Sequence, residues 1–453
     1  MKERENIIGG SLLLMATVMI VSIGCGDSDS STSPSQGGAA YYVSPTGDDG
    51  NPGTSGSPWA SIGQACNTLA AGDTVYVRSG TYSERVVPGT SGSSSSNRIV
   101  YLAYPGDAPV IDGTGVSLPS GWGGLVEISN LSHIVFAGFI VQNVGSEDNH
   151  SGILVESSTD VSILNCATYN TVSSGIGVWN CSNLILNNNE VELACNDGEQ
   201  ECITVAGTSN FTVSNNYVHN SGPGTIGGEG IDIKDGCSTG DVYGNVVHDI
   251  NRIGIYVDSW DKPTHHINVH SNLVYNTTDD GFALASESGG LLSDISVYNN
   301  ISYGNTNSGI TVASWGEQVP SHPIQDISIM NNTFYGNGTS SWGVGICVEN
   351  PDADNVIVRN NILSENVFGQ ILIEEAGSGL AVDNNLFFGI GDPYGSSYLT
   401  GDPELEDPSN GDFHLQTSSP AIDAGSSTGA PSDDFEGTSR PQGSGYDMGA
   451  YEQ

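Results

Sequence analysis

Residues 245–285 read NVVHDINRIGIYVDSWDKPTHHINVHSNLVYNTTDDGFALA, and this stretch carries one pattern twice. Each copy runs from an asparagine to a glycine that opens a short alternating segment, Gly254-Ile-Tyr-Val-Asp258 and then Gly281-Phe-Ala-Leu-Ala285. The asparagine recurs at spacings of 24 to 32 residues, at Asn189, Asn216, Asn245, Asn272, Asn300, Asn332, Asn361 and Asn385. A period of this length, made of alternating segments without a helical pattern, is typical of a solenoid whose coils bury their apolar faces on their neighbours.

We therefore predict an all-β fold, a parallel β-helix of about ten to twelve coils. In each glycine segment the first and third residues after glycine should face the interior, and the second and fourth should face outward. The asparagine column should form a ladder inside the bends, each side-chain amide bonding to the next along the axis, as stacked identical residues do in cross-β arrays.

The composition supports one long domain. A chain of 453 residues needs no second core, because a solenoid grows by adding coils, and 61 glycines are available for turns. The formal net charge of -42 excludes nucleic acid and anionic membrane surfaces as partners. The many carboxylates could hold Ca²⁺, a hard ion that takes six to eight oxygen ligands, so calcium is the one cofactor we expect. We also expect a monomer.

The N-terminus carries an export signal. Residues 1–4 are mostly charged, residues 7–24 form an apolar run, and Cys25 follows. This arrangement resembles a bacterial lipoprotein signal, which implies a signal peptide over residues 1–25, lipidation of Cys25 and a flexible tether over residues 26–40. An ordinary secretory signal and a retained anchor are the alternatives, and all three export the chain. We expect it on the cell surface or outer membrane, or outside the cell, with the lipid as its only membrane contact.

Cysteine usage gives no complete disulfide framework. Seven cysteines remain after Cys25, an odd number. We predict one pair, Cys195 with Cys202, since these flank a short acidic loop.

The two ends of the solenoid differ from its middle. Trp59, Ile62, Cys66 and Leu69 fall at helical spacing and could cover the first coil. The segments Tyr41-Tyr-Val-Ser-Pro-Thr-Gly and Gly72-Asp-Thr-Val-Tyr-Val-Arg resemble the opening of extracellular β-helix polysaccharide lyases, which implies a right-handed helix with a cap helix. We assign residues 41–110 to the N-terminal cap and first coils, 111–400 to the β-helix, and 401–453 to a C-terminal cap segment.

One face of the solenoid collects ionisable and aromatic residues. Because coils stack about 4.8 Å apart, counting from glycine places Lys234 beside Asp258 and Asp232 beside Tyr256. Three of the eight basic residues after Cys25 fall in residues 234–262. The acidic and basic members of this face are Glu201, Glu229, Asp232, Lys234, Asp235, Arg252, Asp258, Asp261, Asp279, Asp280 and Glu287. Such a face is typical of a carbohydrate groove.

The first reaction we expect there is β-elimination from a uronate polymer, in which a base removes the proton beside a carboxylate that calcium neutralises. Lys234 is the predicted base, with a pKa lowered by calcium or burial, and Arg252 and Asp258 are further predicted catalytic residues. The residues predicted to bind substrate are Tyr256, Trp260, Asp232 and Lys262. The residues predicted to hold calcium are Asp279, Asp280, Glu229 and Glu201.

The run Asp279-Asp280-Gly281-Phe282-Ala283-Leu284 resembles the calcium motif of family-nine pectate lyases, Asp-Asp-Gly-Phe-Asp-Leu. Ala283 replaces the third carboxylate of that motif. The family's catalytic lysine follows the motif, whereas this sequence has no lysine after Lys262. The resemblance therefore implies part of a calcium site and assigns no base.

Two other functions stay open. Glycoside hydrolysis needs two carboxyl groups about 5–5.5 Å or 6.5–9.5 Å apart, and Asp258 with Asp279, Asp280 or Glu287 could supply them. The Gly-His-Gly and Arg-Ile-Lys motifs of polygalacturonase-type β-helix hydrolases are absent. The third hypothesis is a non-catalytic carbohydrate-binding or adhesion protein, because the fold alone does not determine the function.

Overall fold

The computed structural model describes residues 37–196, 199–223 and 227–453. The predicted signal peptide, Cys25 and most of the predicted tether lie outside these ranges, so lipid anchoring stays a prediction. Among the helices in the described ranges, none is both long and apolar enough to span a bilayer.

Three parallel sheets form the described solenoid, two of thirteen strands and a third of ten strands that begins at Trp122. The first sheet consists of Ala40–Val43, Thr74–Val77, Ile99–Ala103, Ser132–Ala137, Thr159–Leu164, Ser182–Asn187, Ser209–Ser214, Ser238–Tyr243, Thr264–His270, Leu292–Tyr298, Ile324–Met330, Ala353–Arg359 and Ala381–Asp383. The second sheet consists of Gly80–Tyr82, Pro109–Asp112, Ile140–Val144, Ala167–Thr171, Glu190–Glu192, Tyr217–His219, Val246–His248, Leu273–Tyr275, Ile301–Tyr303, Thr333–Tyr335, Ile362–Ser364, Leu386–Phe388 and Leu399–Thr400. The third sheet consists of Trp122–Ser129, Asn149–Glu156, Ile176–Trp179, Ile203–Ala206, Ile231–Lys234, Ile255–Ser259, Phe282–Ser286, Ile310–Ala313, Val344–Asn350 and Gly369–Ala376.

The predicted parallel β-helix is confirmed. Equivalent positions of successive coils pair in register, as Ile231 does with Ile255 and Ile255 with Phe282. The first and third residues after each glycine are buried and fill the interior, for example Ile231 and Ile233, both 0% exposed. Apolar side chains of all three sheets thus meet in one continuous core along the axis.

The asparagine ladder is also confirmed. Nδ2 of Asn189 donates to Oδ1 of Asn216 at 3.0 Å, and the backbone N–H of Asn189 donates to the same oxygen at 3.0 Å. The same pair of bonds repeats along the column as far as Asn385. The residue before each ladder asparagine has positive φ, for example Asn188 at 55° and Asn215 at 55°. Asparagine adopts this conformation readily, which accounts for the Asn-Asn pairs in the sequence.

A second, shorter ladder follows the second sheet, and the sequence analysis did not identify it. Nδ2 of Asn305 donates to Asn337 Oδ1 at 2.9 Å, Asn337 donates to Asn366 at 3.0 Å, and Asn366 donates to Gln370 Oε1 at 2.8 Å. In the sequence, this second ladder is visible as asparagines spaced 32 and 29 residues apart. All four side chains are buried.

The second residue after each glycine points outward from the core, as predicted, but in the middle coils it is shielded from solvent. These residues do lie outside the core, but Thr204, Asp232, Tyr256 and Ala283 are all at most 5% exposed. Tyr256 and Ala283, for example, pack there in a small apolar cluster with Ile253, Ala285, Ala313 and Trp315. Alternation determines which side of a sheet a residue occupies, not what covers that side.

The predicted cap helix is confirmed as α1, Ile62–Thr68. Ser61 caps it by accepting the backbone N–H of Gln64 with its hydroxyl oxygen at 3.1 Å. Ile62 and Cys66 of this helix are buried, and Trp59, which precedes the helix, is buried as well.

The C-terminal segment differs from the predicted cap, because its contacts run back along the flank of the solenoid. It contains an antiparallel hairpin, Leu405–Asp407 and Asp412–Leu415, joined by a 3₁₀ turn over Pro408–Asn410. Beyond the hairpin, the N–H of Gly449 donates to Asn360 O at 2.7 Å. The apolar residues of the segment pack on the outer face of the second sheet, among them Phe413, Met448 and Ala450 against Ile301, Ile362 and Leu386.

The predicted Cys195–Cys202 disulfide is not present. All seven cysteines in the described ranges are free thiols and are buried. Cys195 donates instead to the backbone oxygen of Gln200 at 2.7 Å.

Candidate active site

A cavity of about 400 Å³ opens on the outer face of the third sheet. All three predicted catalytic residues and all four predicted substrate-binding residues line it. The complete lining is Trp179, Asn180, Glu201, Ala206, Gly207, Glu229, Asp232, Lys234, Asp235, Arg252, Tyr256, Asp258, Trp260, Lys262 and Glu287. The column arrangement inferred from the sequence therefore brings these side chains together.

Lys234 ends the strand Ile231–Lys234 and lies among carboxylates. Its Nζ donates to Glu201 Oε1 at 2.6 Å and is 3.5 Å from Asp232 Oδ2. Burial disfavours the ammonium form, but the carboxylates of Glu201, Asp232 and Asp258 outweigh it and raise the pKa of Lys234. Burial therefore does not by itself lower this pKa as predicted, and Lys234 is an ammonium ion paired with carboxylates.

Asp232 and Asp258 form a coupled acidic pair on adjacent coils. They are 2% and 5% exposed. Burial raises the pKa of Asp232, and repulsion by Asp258 adds to it, while the nearby Lys234 opposes both. Burial likewise raises the pKa of Asp258 against the effect of Lys234. One oxygen of each carboxyl group, Asp232 Oδ1 and Asp258 Oδ1, is buried without a hydrogen-bond partner.

Glu229 and Arg252 form an ion pair beside this acidic pair. Arg252 Nε lies 2.9 Å from Glu229 Oε1. Burial, with repulsion from Glu201, raises the pKa of Glu229 to about 7 despite the guanidinium. Its second oxygen, Oε2, is buried without a hydrogen-bond partner. Three carboxyl groups of the lining thus each have one buried oxygen without a hydrogen-bond partner.

Aromatic rings form the walls. Tyr256 donates its hydroxyl to Glu287, and Trp260 stands at the rim with 41% of its surface exposed. The Trp179 ring lies across Gly177, where an added Cβ would come within 2.2 Å of the indole. Flat rings beside carboxyl groups suit sugar rings, whose C–H faces stack on aromatic side chains.

The expected calcium ligands do not assemble into one site. Glu201 and Glu229 line the cavity, where they pair with Lys234 and Arg252. Asp279 and Asp280 lie outside the lining. Asp280 Oδ1 accepts the backbone N–H of Ser308 at 2.6 Å, and the side chain of Asn307 donates to Asp279. The turn at Asp279 and Asp280 therefore forms hydrogen bonds to the next coil, and we assign calcium no part in the reaction.

Sequence reasoning missed part of the site. Thr204 donates to Glu201 Oε2 at 2.7 Å and fixes that carboxylate, and Asn180 contributes to the lining. Asp261, expected on this face, is absent from the lining. His248 lies on the second sheet, where Nε2 is 2.8 Å from Tyr217 Oη.

Comparison with family models identifies the chain's relatives. Residues 41–193 match a Pel9A-like right-handed β-helix region, and residues 151–322 and 290–387 match the right-handed β-helix region, together more than half of the chain. The Pel9A-like match ends before the cavity's carboxyl groups, which begin at Glu201.

Individual relatives are similar over short stretches only. The chain is 33% identical over 135 residues to the uncharacterised protein YwoF of Bacillus subtilis (strain 168), covering 29% of each chain. It is 40% identical over 76 residues to pectate lyase PEL9 of Emericella nidulans, covering 17% of this chain and 18% of the relative. The matched stretches thus span less than a third of either relative.

A solved structure extends the likeness to the whole fold. The crystal structure of pectate lyase Pel9A superposes with a TM-score of 0.57 at 16% identity and covers 92% of this chain and 96% of that one. The sheet arrangement and these matches together show that the chain belongs to the pectate-lyase-like superfamily of right-handed parallel β-helix proteins.

Proposed function

We propose that this protein hydrolyses glycosidic bonds in a polysaccharide outside the cell, with Asp258 as the general acid and Asp232 as its carboxylate partner. The observation that carries the proposal is the acidic pair, two buried carboxyl groups that line one cavity, each with a buried oxygen that has no hydrogen-bond partner. Glycoside hydrolysis uses such a pair, one group protonating the leaving oxygen and the other acting as nucleophile or base.

The surroundings of the pair separate the two roles. Like charges in a buried site cannot both ionise easily, so such a pair shares a proton. Lys234 Nζ is 3.5 Å from Asp232 Oδ2, whereas no ion pair joins Lys234 to Asp258 among the described residues. We therefore assign the negative charge to Asp232 and the proton to Asp258.

The charge of the cavity favours a neutral glycan. Its lining has six acidic residues, Glu201, Glu229, Asp232, Asp235, Asp258 and Glu287, against the three cations Lys234, Arg252 and Lys262. Each cation already contacts one of these carboxylates. A uronate would bring a further negative charge into this surplus, whereas a neutral sugar would bring none.

β-Elimination from a uronate polymer is the second candidate, and the similarity to pectate lyase PEL9 and to the Pel9A-like model supports it. It needs a base other than a lysine held as an ammonium ion. The reaction also requires that the negative charge of the substrate carboxylate be neutralised, and Arg252 and Lys262 are the cations of the lining that we assign to this role.

The test is to incubate the purified mature chain with neutral and uronate polysaccharides and follow both new reducing ends and the ultraviolet absorbance of unsaturated uronates. Hydrolysis gives reducing ends from neutral glycans without absorbance, and addition of EGTA should leave the rate unchanged. Absorbance that requires calcium would overturn the proposal in favour of elimination. A chain that binds glycans and gives neither signal would be a binding protein.

Asp258→Asn should lower kcat by about 10²–10⁴-fold, because an amide cannot donate the proton in the transition state. Asp241→Asn, on the outer face of the first sheet, is the matched control and should keep full activity. Asp279→Asn separates the two reactions, since hydrolysis predicts no loss while a calcium site at the acidic turn predicts a large one. Unchanged activity of Asp258→Asn would exclude the assigned acid.

A further inference from the structure

A second group of ligand-type side chains lies on the second sheet, away from the cavity. Glu190 and Glu192 flank the inward-facing Val191 on the strand Glu190–Glu192, so both carboxylates point outward. The next coil places Tyr217 opposite Glu190 and His219 opposite Glu192. One ligand atom from each of Glu190, Glu192 and His219 lies within 4.8 Å of the other two.

The imidazole is oriented toward the carboxylates. His219 is 7% exposed, and its Nε2 lies 3.2 Å from Glu190 Oε1. Its ring packs on Tyr217 with centroids 4.3 Å apart and on His248 with centroids 5.4 Å apart. These neighbours leave the ring little rotational freedom, so the nitrogen is held in place before any ligand arrives.

The other ring nitrogen also has a partner. The side-chain amide of Asn220 lies 3.0 Å from His219 Nδ1. The same Nδ2 lies 3.4 Å from Glu192 Oε1. The amide thus links the imidazole to the second carboxylate and helps to hold the three ligand groups together.

This region lacks positive charge. The sequence has no lysine or arginine between Arg98 and Lys234. Within the described residues, neither Glu190 nor Glu192 forms an ion pair with a lysine or arginine, and Glu190 pairs there with His219. A divalent cation would supply the missing charge.

We propose that Glu190, Glu192 and His219 form a binding site for a divalent transition-metal ion of the Zn²⁺ type. One imidazole nitrogen with two carboxylate oxygens suits zinc and its neighbours, whereas calcium and magnesium take oxygen ligands. Tetrahedral bonds of about 2.0–2.2 Å put ligand atoms roughly 3.3 Å apart, so small side-chain rotations suffice. The ion would join the coils that lead to Glu201 and Asp232 and so stabilise the solenoid beneath the cavity.

The test is calorimetric titration of the metal-stripped mature chain with Zn²⁺, together with its melting temperature. We expect one strong site per chain and a higher melting temperature with Zn²⁺. His219→Ala should weaken binding by about tenfold or more and abolish the thermal shift. Glu192→Gln should weaken binding too, and it covers the case in which His219→Ala fails to fold.

His265→Ala is the matched control, because His265 is a half-buried histidine on the first sheet whose Nδ1 lies 2.7 Å from that of His266. It should bind Zn²⁺ as the unaltered chain does. No Zn²⁺ binding by the unaltered chain, equal binding by the folded His219→Ala variant, or anomalous scattering from zinc at another position would each overturn the site.

Discussion

At the scale of single residues, the cavity shows how one lysine can organise several carboxyl groups. Lys234 contacts Glu201 and Asp232 and acts electrostatically on Asp258. Its charge offsets part of the cost of burying three acids, a cost that would otherwise be several kcal/mol per ion. A residue chosen from the sequence as a base is thus better explained as the cation that sets the protonation of its neighbours.

Asp280 gives a pH-dependent prediction. Burial, with repulsion from Asp279, raises the pKa of Asp280 to about 8. The folded state therefore binds a proton that the unfolded chain releases above its ordinary pKa of about 4, and folding loses stability as the pH rises from about 4 to 8. Asp280→Asn should stabilise the protein at pH 8 by on the order of a few kcal/mol and change little at pH 4.

Denaturant unfolding of both proteins across this pH range measures the effect. The amide oxygen of the variant can still accept the N–H of Ser308, so the turn is retained. A difference in stability that is the same at acidic and alkaline pH would show that Asp280 is ionised in the folded protein.

At the scale of the structural element, the asparagine ladder stabilises the bend through linked hydrogen bonds. Asn272 Oδ1 accepts both the N–H and the side-chain Nδ2 of Asn245, at 3.0 and 2.9 Å, and Asn272 Nδ2 donates to Val242 O at 2.9 Å. Asn272 itself is 0% exposed. Every polar atom of this side chain therefore forms a hydrogen bond with a buried group, and these groups have no access to water.

Asn272→Ala should consequently destabilise the fold by about 3 kcal/mol or more, because it leaves buried donors and one acceptor unpaired at about 1–3 kcal/mol each. Asn268→Ala, on the neighbouring strand, removes only a half-buried bond to Asp241 and should cost less than about 1 kcal/mol. Urea unfolding compares the two variants. Equal losses would show that the ladder contributes no more than a surface hydrogen bond.

At the scale of the whole molecule, the C-terminal segment covers a flank that the solenoid alone would leave apolar. Its anchor is Arg440, which donates from Nη1 to Glu452 Oε2 at 2.9 Å and from Nη2 to Gly449 O at 2.9 Å. Both charged side chains are 0% exposed. Removing one partner of such a pair leaves a buried charge without compensation.

Arg440→Met should therefore destabilise the attached segment by about 3–5 kcal/mol. Arg78→Met breaks a partly exposed 3.9 Å contact with Asp107 and removes the guanidinium from the Tyr104 ring, 3.5 Å from its centroid, and should cost at most about 2 kcal/mol. Limited proteolysis of the tail and denaturant unfolding measure both effects, while activity in the distant cavity should persist in any Arg440→Met protein that stays folded. A tail as protease-resistant as in the unaltered chain would argue against this anchor.

The repeat in the sequence was sufficient to predict the solenoid, its core positions, the asparagine ladder and the adjacency of Asp232 to Tyr256 and Lys234 to Asp258. These follow because stacked coils in register place equivalent residues one strand apart, whatever the intervening turns do. The tertiary structure alone decided what covers the outer positions, and hence the burial of Asp232 and the raised pKa of Lys234. It also decided that Asp280 bonds to the next coil and that the C-terminal segment lies on the flank, since coverage and side-chain pairing depend on turns and a tail that do not repeat.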